Sequence, residues 1–402
     1  MLNRDKVIQS LAEKQTQFQT FWQEQQHERD EIARSLQKFL RLDNETVLTR
    51  LDQLGLAWPG AYPTAELDQA DELRLTFGQR WQSHQEARRW ALSVLEDAPV
   101  LAVDGSQITP SKDFSIPVGA VQIGWFINDH RIGGSYVKDI TFEVISPKEL
   151  YEAEGDTRIA VDTDFPNWYI NQQRFVGECE RICTLMAEYA HVPLAQRPLC
   201  FFDGSLIISF AGQLRPSRAA GYLQAVQKLL DCSIRYRVPL VGFVDGSQSR
   251  DMVKMMGLVV AQDDIFKTSD ASLLAGLLPE WGDRSPLFVC ARDDQLSREG
   301  YAPFYQQVAF TYVRLSADRY PARVEMPLWM AEDDYVPAII DLVRAECVVG
   351  GGYPYAVETA DAVAVISYKD QQRFYALLQQ FAEQEGIALT LARKAMSKQS
   401  RR

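Results

Sequence analysis

The sequence has no Cys-x-x-Cys pair and no apolar segment behind its first residues, MLNRDKVIQSLAEKQ. Nor does it hold a run near the ~20 apolar residues that a membrane span needs. Its six cysteines stand apart at 179, 183, 200, 232, 290 and 347, and the pair one helical turn apart has no histidine beside it. Scattered thiols in a long chain read as reduced core residues, which sets aside a disulfide framework and a zinc site. The glycines of GGGYPY at 350–355 lack the Gly-Lys-Ser/Thr ending of a phosphate loop and read as a flexible connection. The expectation from these absences is a cytoplasmic protein.

Positive charge is also scarce. The 42 Lys and Arg residues against 54 Asp and Glu leave a net charge of −12, which argues against binding nucleic acid by bulk attraction. Metal-binding carboxylates would add to that negative charge, and local basic patches can still track a backbone. The one obvious basic run, Arg393 to Arg402, has five basic residues and no acid and reads as a solvated terminus.

What is present is an ordinary globular balance, 46% hydrophobic and 24% charged over 402 residues. That permits a sizeable core in two or three average domains, or in one large domain with extensions. Residues 1–42 carry apolar positions at roughly helical spacing and predict a long amphipathic helix that packs on a domain or a second chain. A Pro- and Gly-containing break at 59–63 precedes a helical pattern over 64–95. From Pro99 the pattern changes to strands: APVLAVDGS, then VGAVQIGWFIN and SYVKDITFEVIS joined by a hairpin-length loop, DHRIGG. An acid-rich loop at 149–164, a helix at 167–190, a strand in PLCFFDGSLIISF, a helix at 217–235 and a strand in PLVGFVDGS follow. Further strands are expected in PLFVCAR, QVAFTYVRLS and ARVEMPLWM, and helices at 335–348, 355–367 and 370–385. A hairpin-linked start followed by strand–helix crossovers predicts a mixed α/β sheet flanked by helices, in the general order of an RNase H-like fold. The expected layout is a helical region at 1–95, a main domain at 96–385 and a basic tail at 386–402.

Three of these strands end in the same tripeptide: Asp104-Gly105-Ser106, Asp203-Gly204-Ser205 and Asp245-Gly246-Ser247. Any one Asp-Gly alone is an ordinary turn. Three copies, each after four to six apolar residues, place carboxylates at the edge of a sheet where α/β proteins bind ligands. Two or three of them together would make an oxygen-lined site for Mg²⁺ or Mn²⁺. The 167–190 helix offers Glu178 and Glu180 at opposite borders of its apolar stripe, and periodicity does not choose between them. Asp361 falls four residues from Val357 and from Val365, on a stripe expected to be buried, as a ligand or in a structural salt bridge. Glu325 is expected to face solvent or to pair with Arg323 or Arg314.

Taken in order, several of these segments resemble the NurA nuclease family. They are AVDGS at 102–106, the step from Arg174 to Glu178, FFDGSL at 201–206, LVGFVDGSQSRD at 240–251, ARVEMP at 322–327 and GGYPYAVETADAVA at 351–364. The resemblance implies an RNase H-like fold and Mn²⁺-dependent cleavage of single- and double-stranded DNA. It also implies a homodimer that works with a HerA-type hexameric ATPase in the end resection of DNA repair. By it, Asp104 and Asp203 become metal ligands, Glu178 the helix carboxylate and Asp245 a further acid. One departure stands out: where the family usually carries a histidine, this chain has Asp361. An aspartate still suits Mn²⁺ or Mg²⁺ but cannot be a cationic partner to a leaving group. The expected chemistry is two-metal phosphodiester hydrolysis, with Asp104 and Asp203 bridging one ion and Glu178 with Asp361 or Asp245 completing the shells. Two rival readings are a NurA-like domain that serves as a binding platform and an actin-like ATPase; the latter lacks its expected Asp-x-Gly-Thr repeat.

Overall fold

The computed structural model describes residues 2–153, 167–260 and 268–390. The basic run at 393–402 and much of the acid-rich loop lie outside them. Among the described residues, nine strands form one mixed sheet: β1 (Gly60–Pro63), β2 (Val100–Ile108), β3 (Gly119–Asn128), β4 (Tyr136–Ile145), β5 (Leu199–Asp203), β6 (Leu240–Val244), β7 (Phe288–Ala291), β8 (Val308–Val313) and β9 (Ala322–Pro327). Their order is β1-β7-β8-β9-β6-β5-β2-β3-β4. The β2–β3–β4 run is antiparallel, β5 and β6 lie parallel to β2, and β9, β8, β7 and β1 extend the sheet antiparallel. Three hairpin-linked strands with two parallel strands beside the first is the order expected of an RNase H-like core.

Strand alternation divides the core. Leu101, Val103, Cys200, Phe202 and Leu240 face helices Asn167–Glu188 and Pro216–Tyr236. Val100, Ala102, Leu199, Phe201, Val241 and Phe243 face helices Val336–Val349 and Tyr355–Ala364. Period-two side chains buried on both faces are what a central strand between two helical layers requires. Helix ends follow local chemistry. Pro216 opens one helix where its missing N–H costs nothing, and Ser367 with Asp370 forms a capping box for helix Tyr368–Gln384.

Some expectations change. The N-terminal segment is two helices, Arg4–Glu13 and Gln15–Phe39, and its early apolar residues Ile8, Leu11, Phe18 and Trp22 are exposed. The presumed break at 59–63 is strand β1, paired antiparallel with β7. Residues 64–95 are helical only at Ala65–Gln69 and His84–Leu95, because Glu72 and Leu73 take positive φ and interrupt the pattern. Glu325 does not face solvent; β9 is buried along its whole length.

Candidate active site at the carboxyl edge of the sheet

The parallel register Val103↔Phe202 brings Asp104 and Asp203 side by side. Asp203 ends β5, whereas Asp104 lies within β2 and not at its end as the sequence suggests; the parallel pairing stops there and the pairing with β3 alone continues to Ile108. By alternation both continue the sheet face of Ala102 and Phe201. Asp245 follows β6, the next strand over.

Glycine brings other groups to this edge. Gly124 lies opposite Asp104 across the β2–β3 pair. A Cβ there would stand 2.7 Å from the backbone nitrogen of Ala364, so only glycine lets helix Tyr355–Ala364 come this close. That approach brings Asp361 within hydrogen-bonding reach of Asp104. On the opposite face, a Cβ at Gly105 would lie 2.5 Å from Oε1 of Glu178 and 2.7 Å from Cγ of Arg174. The second glycine thus opens the strand end to the helix carboxylate.

The electrostatics follow from this crowding. Asp104 is pushed up to about 6, first by desolvation and then by the charges of Asp203 and Asp361. Glu178, 5% exposed, is pushed up to about 8. Desolvation dominates there, with Asp104 and Asp203 adding to it, and outweighs Arg174, whose Nη1 donates to Oε1 at 2.5 Å. Asp203 is raised by desolvation and Asp361, although a hydrogen bond from the Tyr353 hydroxyl at 2.7 Å opposes this.

Asp203 and Asp361 line a cavity of about 630 Å³ with Ser316, Asp318, Arg319, Gly350–Gly352, Tyr353 and Glu358. Asp361 is exposed to it and does not share the buried stripe: Val357 is buried, but Val365 is 55% exposed because the helix ends at Ala364. Asp245 instead pairs with Arg319 at 2.5 Å. Glu180 lies on the exposed side of its helix, bonded to Lys228. Sequence reasoning missed Tyr353 and Arg319. The glycines before Tyr353 form a tight turn rather than a flexible connection, with Gly351 and Gly352 at φ +70° and +111°. A Cβ on Gly350 would collide with the Tyr353 carbonyl.

The gathered donors are oxygens, and their mutual repulsion is what a hard divalent cation relieves, so the chemistry of the set fits Mn²⁺ or Mg²⁺. Among the described residues, no three His, Cys, Asp or Glu side chains are grouped so as to hold a metal ion. Arg174 and Tyr353 bond Oε1 of Glu178 and Oδ1 of Asp203, so each carboxylate still has its second oxygen to offer an ion.

Fold and site define an α/β protein with an acid-lined cleft at the carboxyl ends of parallel strands. The NurA domain family model matches residues 98–366, and the chain belongs to that family, a nuclease family. Among solved structures, a crystal structure of NurA has 11% identity and a TM-score of 0.42, covering 71% of this chain and 88% of that one. A crystal structure of NurA with manganese has 10% identity and a TM-score of 0.40, covering 71% and 89%. A crystal structure of NurA bound to dAMP and manganese has 11% identity and a TM-score of 0.36, covering 69% and 86%. No curated protein matches the sequence significantly. Among the described residues, no helix is long and apolar enough to cross a membrane.

Proposed function

We propose that this chain is a divalent-metal-dependent DNA nuclease that hydrolyses phosphodiesters of single- and double-stranded DNA. The observation that carries the reading is the convergence of acids at this edge: Asp203 and Asp361 raise Asp104, Asp361 raises Asp203, and Asp104 and Asp203 raise Glu178, which packs against the bare Cα of Gly105. Structural carboxylates are normally neutralised by cations, whereas here Arg174 meets Glu178 and lowers Asp203 without offsetting the burial of either, which marks a cluster suited to function. Asp104 and Asp203 would be the principal ligands of a pair of Mn²⁺ or Mg²⁺ ions, with Glu178 and Asp361 completing their shells. Such ions supply charge neutralisation and an activated water. Arg174 holds Glu178 toward the strand end, Tyr353 orients Asp203, and the cleft admits the phosphodiester.

By family, the biological setting we propose is DNA end resection in the cytoplasm, as a homodimer with a HerA-type hexameric ATPase. The N-terminal residues 1–95, mainly helical but contributing β1 to the sheet, the nuclease domain 96–385 and the tail 386–402 would be its parts. Manganese accompanies two of the similar NurA crystal structures and dAMP one of them, in keeping with the proposed metal and substrate. The test is Mn²⁺-dependent degradation of a fluorescent DNA by the wild type and by Asp104→Asn. The substitution removes a ligand charge and should abolish cleavage; full activity in the variant refutes the assignment.

A second reading has its own support. The ungrouped ligands and Asp361 in the family's histidine position favour a NurA-like binding platform with weakened chemistry. Absence of cleavage by the wild type with Mn²⁺, combined with tight binding of a hexameric ATPase, would select it.

A further inference from the structure

The cleft that holds Asp203 and Asp361 is lined by four carboxylates, the other two being Asp318 and Glu358, and among its described lining residues by a single cation, Arg319. A phosphodiester is an anion, and metal ions neutralise it only where they touch it. The rest of its charge must meet protein donors, and in this cleft only one side chain offers a full positive charge.

Arg319 is built for that contact. It sits on the turn between β8 and β9. Arg314 pins this turn by donating to the carbonyls of Arg319 and Ala317, both at 2.9 Å, and the Trp281 indole donates to the Leu315 carbonyl at 3.0 Å. The backbone is therefore anchored while the side chain is 62% exposed. Its partner in the structure is Asp245, at 2.5 Å. An ion pair this exposed contributes at most about 1 kcal/mol, so exchanging it for another anion costs little. A guanidinium fork matches two phosphate oxygens, and that charge-assisted contact gains strength as a strand excludes water from the cleft.

We propose that Arg319 is the phosphate-binding residue of this cleft, held on Asp245 and exchanging that carboxylate for non-bridging oxygens of the nucleic-acid backbone. Asp245 is then a positioning residue for Arg319. This accounts for the third Asp-Gly-Ser, which follows a neighbouring strand yet lies outside the carboxylate cluster. The inference rests on the nuclease reading but is separable from it.

The experiment uses the full chain and a fluorescent single-stranded oligonucleotide. Binding is measured with Ca²⁺ over a series of salt concentrations, and cleavage with Mn²⁺. Arg319→Ala should lower the slope of log K against log salt by about 0.7, the loss of one phosphate contact on a single strand. It should also slow cleavage by ~100-fold or more. Arg319→Lys should keep the slope and recover only part of the rate, because a point charge lacks the fork. An Arg319→Ala protein with unchanged slope and rate overturns the proposal, as does a wild type that binds no DNA. If the wild type fails to cut but the slope still drops in the variant, the phosphate contact stands and only the hydrolytic reading falls.

Discussion

The hydroxyl of Tyr353 donates to Oδ1 of Asp203 at 2.7 Å, joining residues 150 apart in sequence. This bond favours the ionised carboxylate, opposing the desolvation that raises Asp203. Tyr353→Phe removes the donor and keeps the ring, which packs edge-on against Phe243. The Asp203 pKa should therefore rise, and Mn²⁺ affinity measured by titration calorimetry should fall ~10-fold, in the range usual for lost outer partners of metal ligands. The acid limb of any pH–rate profile should move to higher pH. An unchanged affinity and an unmoved profile would show that Tyr353 only fills space.

Away from the cleft, Glu346 gives a pH prediction free of metal. It is fully buried, its Oε2 accepts the Ala356 amide at 2.7 Å, and its Oε1 has no hydrogen-bond partner. His130 places Nε2 at 3.6 Å from it, and burial shifts that imidazole down, toward its neutral form. Desolvation pushes Glu346 up to about 7 from its ordinary 4.5. Between those values the folded state binds more protons than the unfolded one, so this residue makes stability fall as pH rises through the window. Glu346→Gln removes the charge and keeps the acceptor. The variant should gain on the order of 1–3 kcal/mol over the wild type above pH 7 and lose that advantage toward pH 5. Denaturant unfolding at both pH values reads this directly; an equal difference at each would rule out titration of Glu346 as the cause.

Asp203 and Asp245 are legible because three rules coincide, an apolar run, an acid at its end and a glycine after it. At Asp104 the same pattern misleads in one respect, since β2 continues through Gly105 to Ile108 in its pairing with β3. The mixed character of the sheet is legible in the hairpin-linked start followed by strand–helix crossovers. What pattern could not give was contact across long separations. Tyr353 meets Asp203, and Arg319 meets Asp245, through turns whose shape depends on glycines at positive φ rather than on periodicity. Asp361 was placed on a buried stripe by counting residues, but the helix ends at Ala364 and the stripe stops with it. For Glu325 the expected pairing with Arg323 holds, at 2.6 Å, while the solvent-facing alternative fails because β9 has no exposed face. Glu178 and Glu180 were equivalent by angle; the missing Cβ at Gly105 leaves room for the first, and Lys228 draws the second outward.

Glu325 carries a stability prediction. Its carboxylate accepts Nε of Arg323 at 2.6 Å, the Leu206 amide at 2.7 Å and the Ser205 hydroxyl at 2.9 Å. Arg323 in turn meets Asp251 at 2.9 Å, and the network ties the turn after β5 to the sheet centre. Breaking one member strands a buried charge, which typically costs about 3–5 kcal/mol. Glu325→Gln should lose stability on that scale in urea unfolding. A double replacement, Glu325→Leu with Arg323→Met, should cost less than the two single losses added together, since it removes both charges. A Gln variant within about 1 kcal/mol of wild type would mean the network is not a unit.

The geometry of the cleft depends on a residue with no side chain. Gly124 faces Asp104 across two strands and touches the end of the helix that carries Asp361; an added Cβ would sit 2.7 Å from the Ala364 nitrogen and 2.9 Å from its Cα. Those are backbone atoms, so Gly124→Ala must push the helix away, costing roughly 1–3 kcal/mol as overpacking does. Asp361 moves with the helix, away from Asp104. Mn²⁺ affinity should then fall ~10-fold with every carboxylate still present, because ligand placement and not ligand count has changed. Gly276→Ala is the matched control, since a Cβ there meets nothing within 4 Å. If Gly124→Ala is destabilised but binds Mn²⁺ as tightly as the control, Asp361 lies outside the coordination sphere and the metal belongs to the strand-end acids and Glu178 alone.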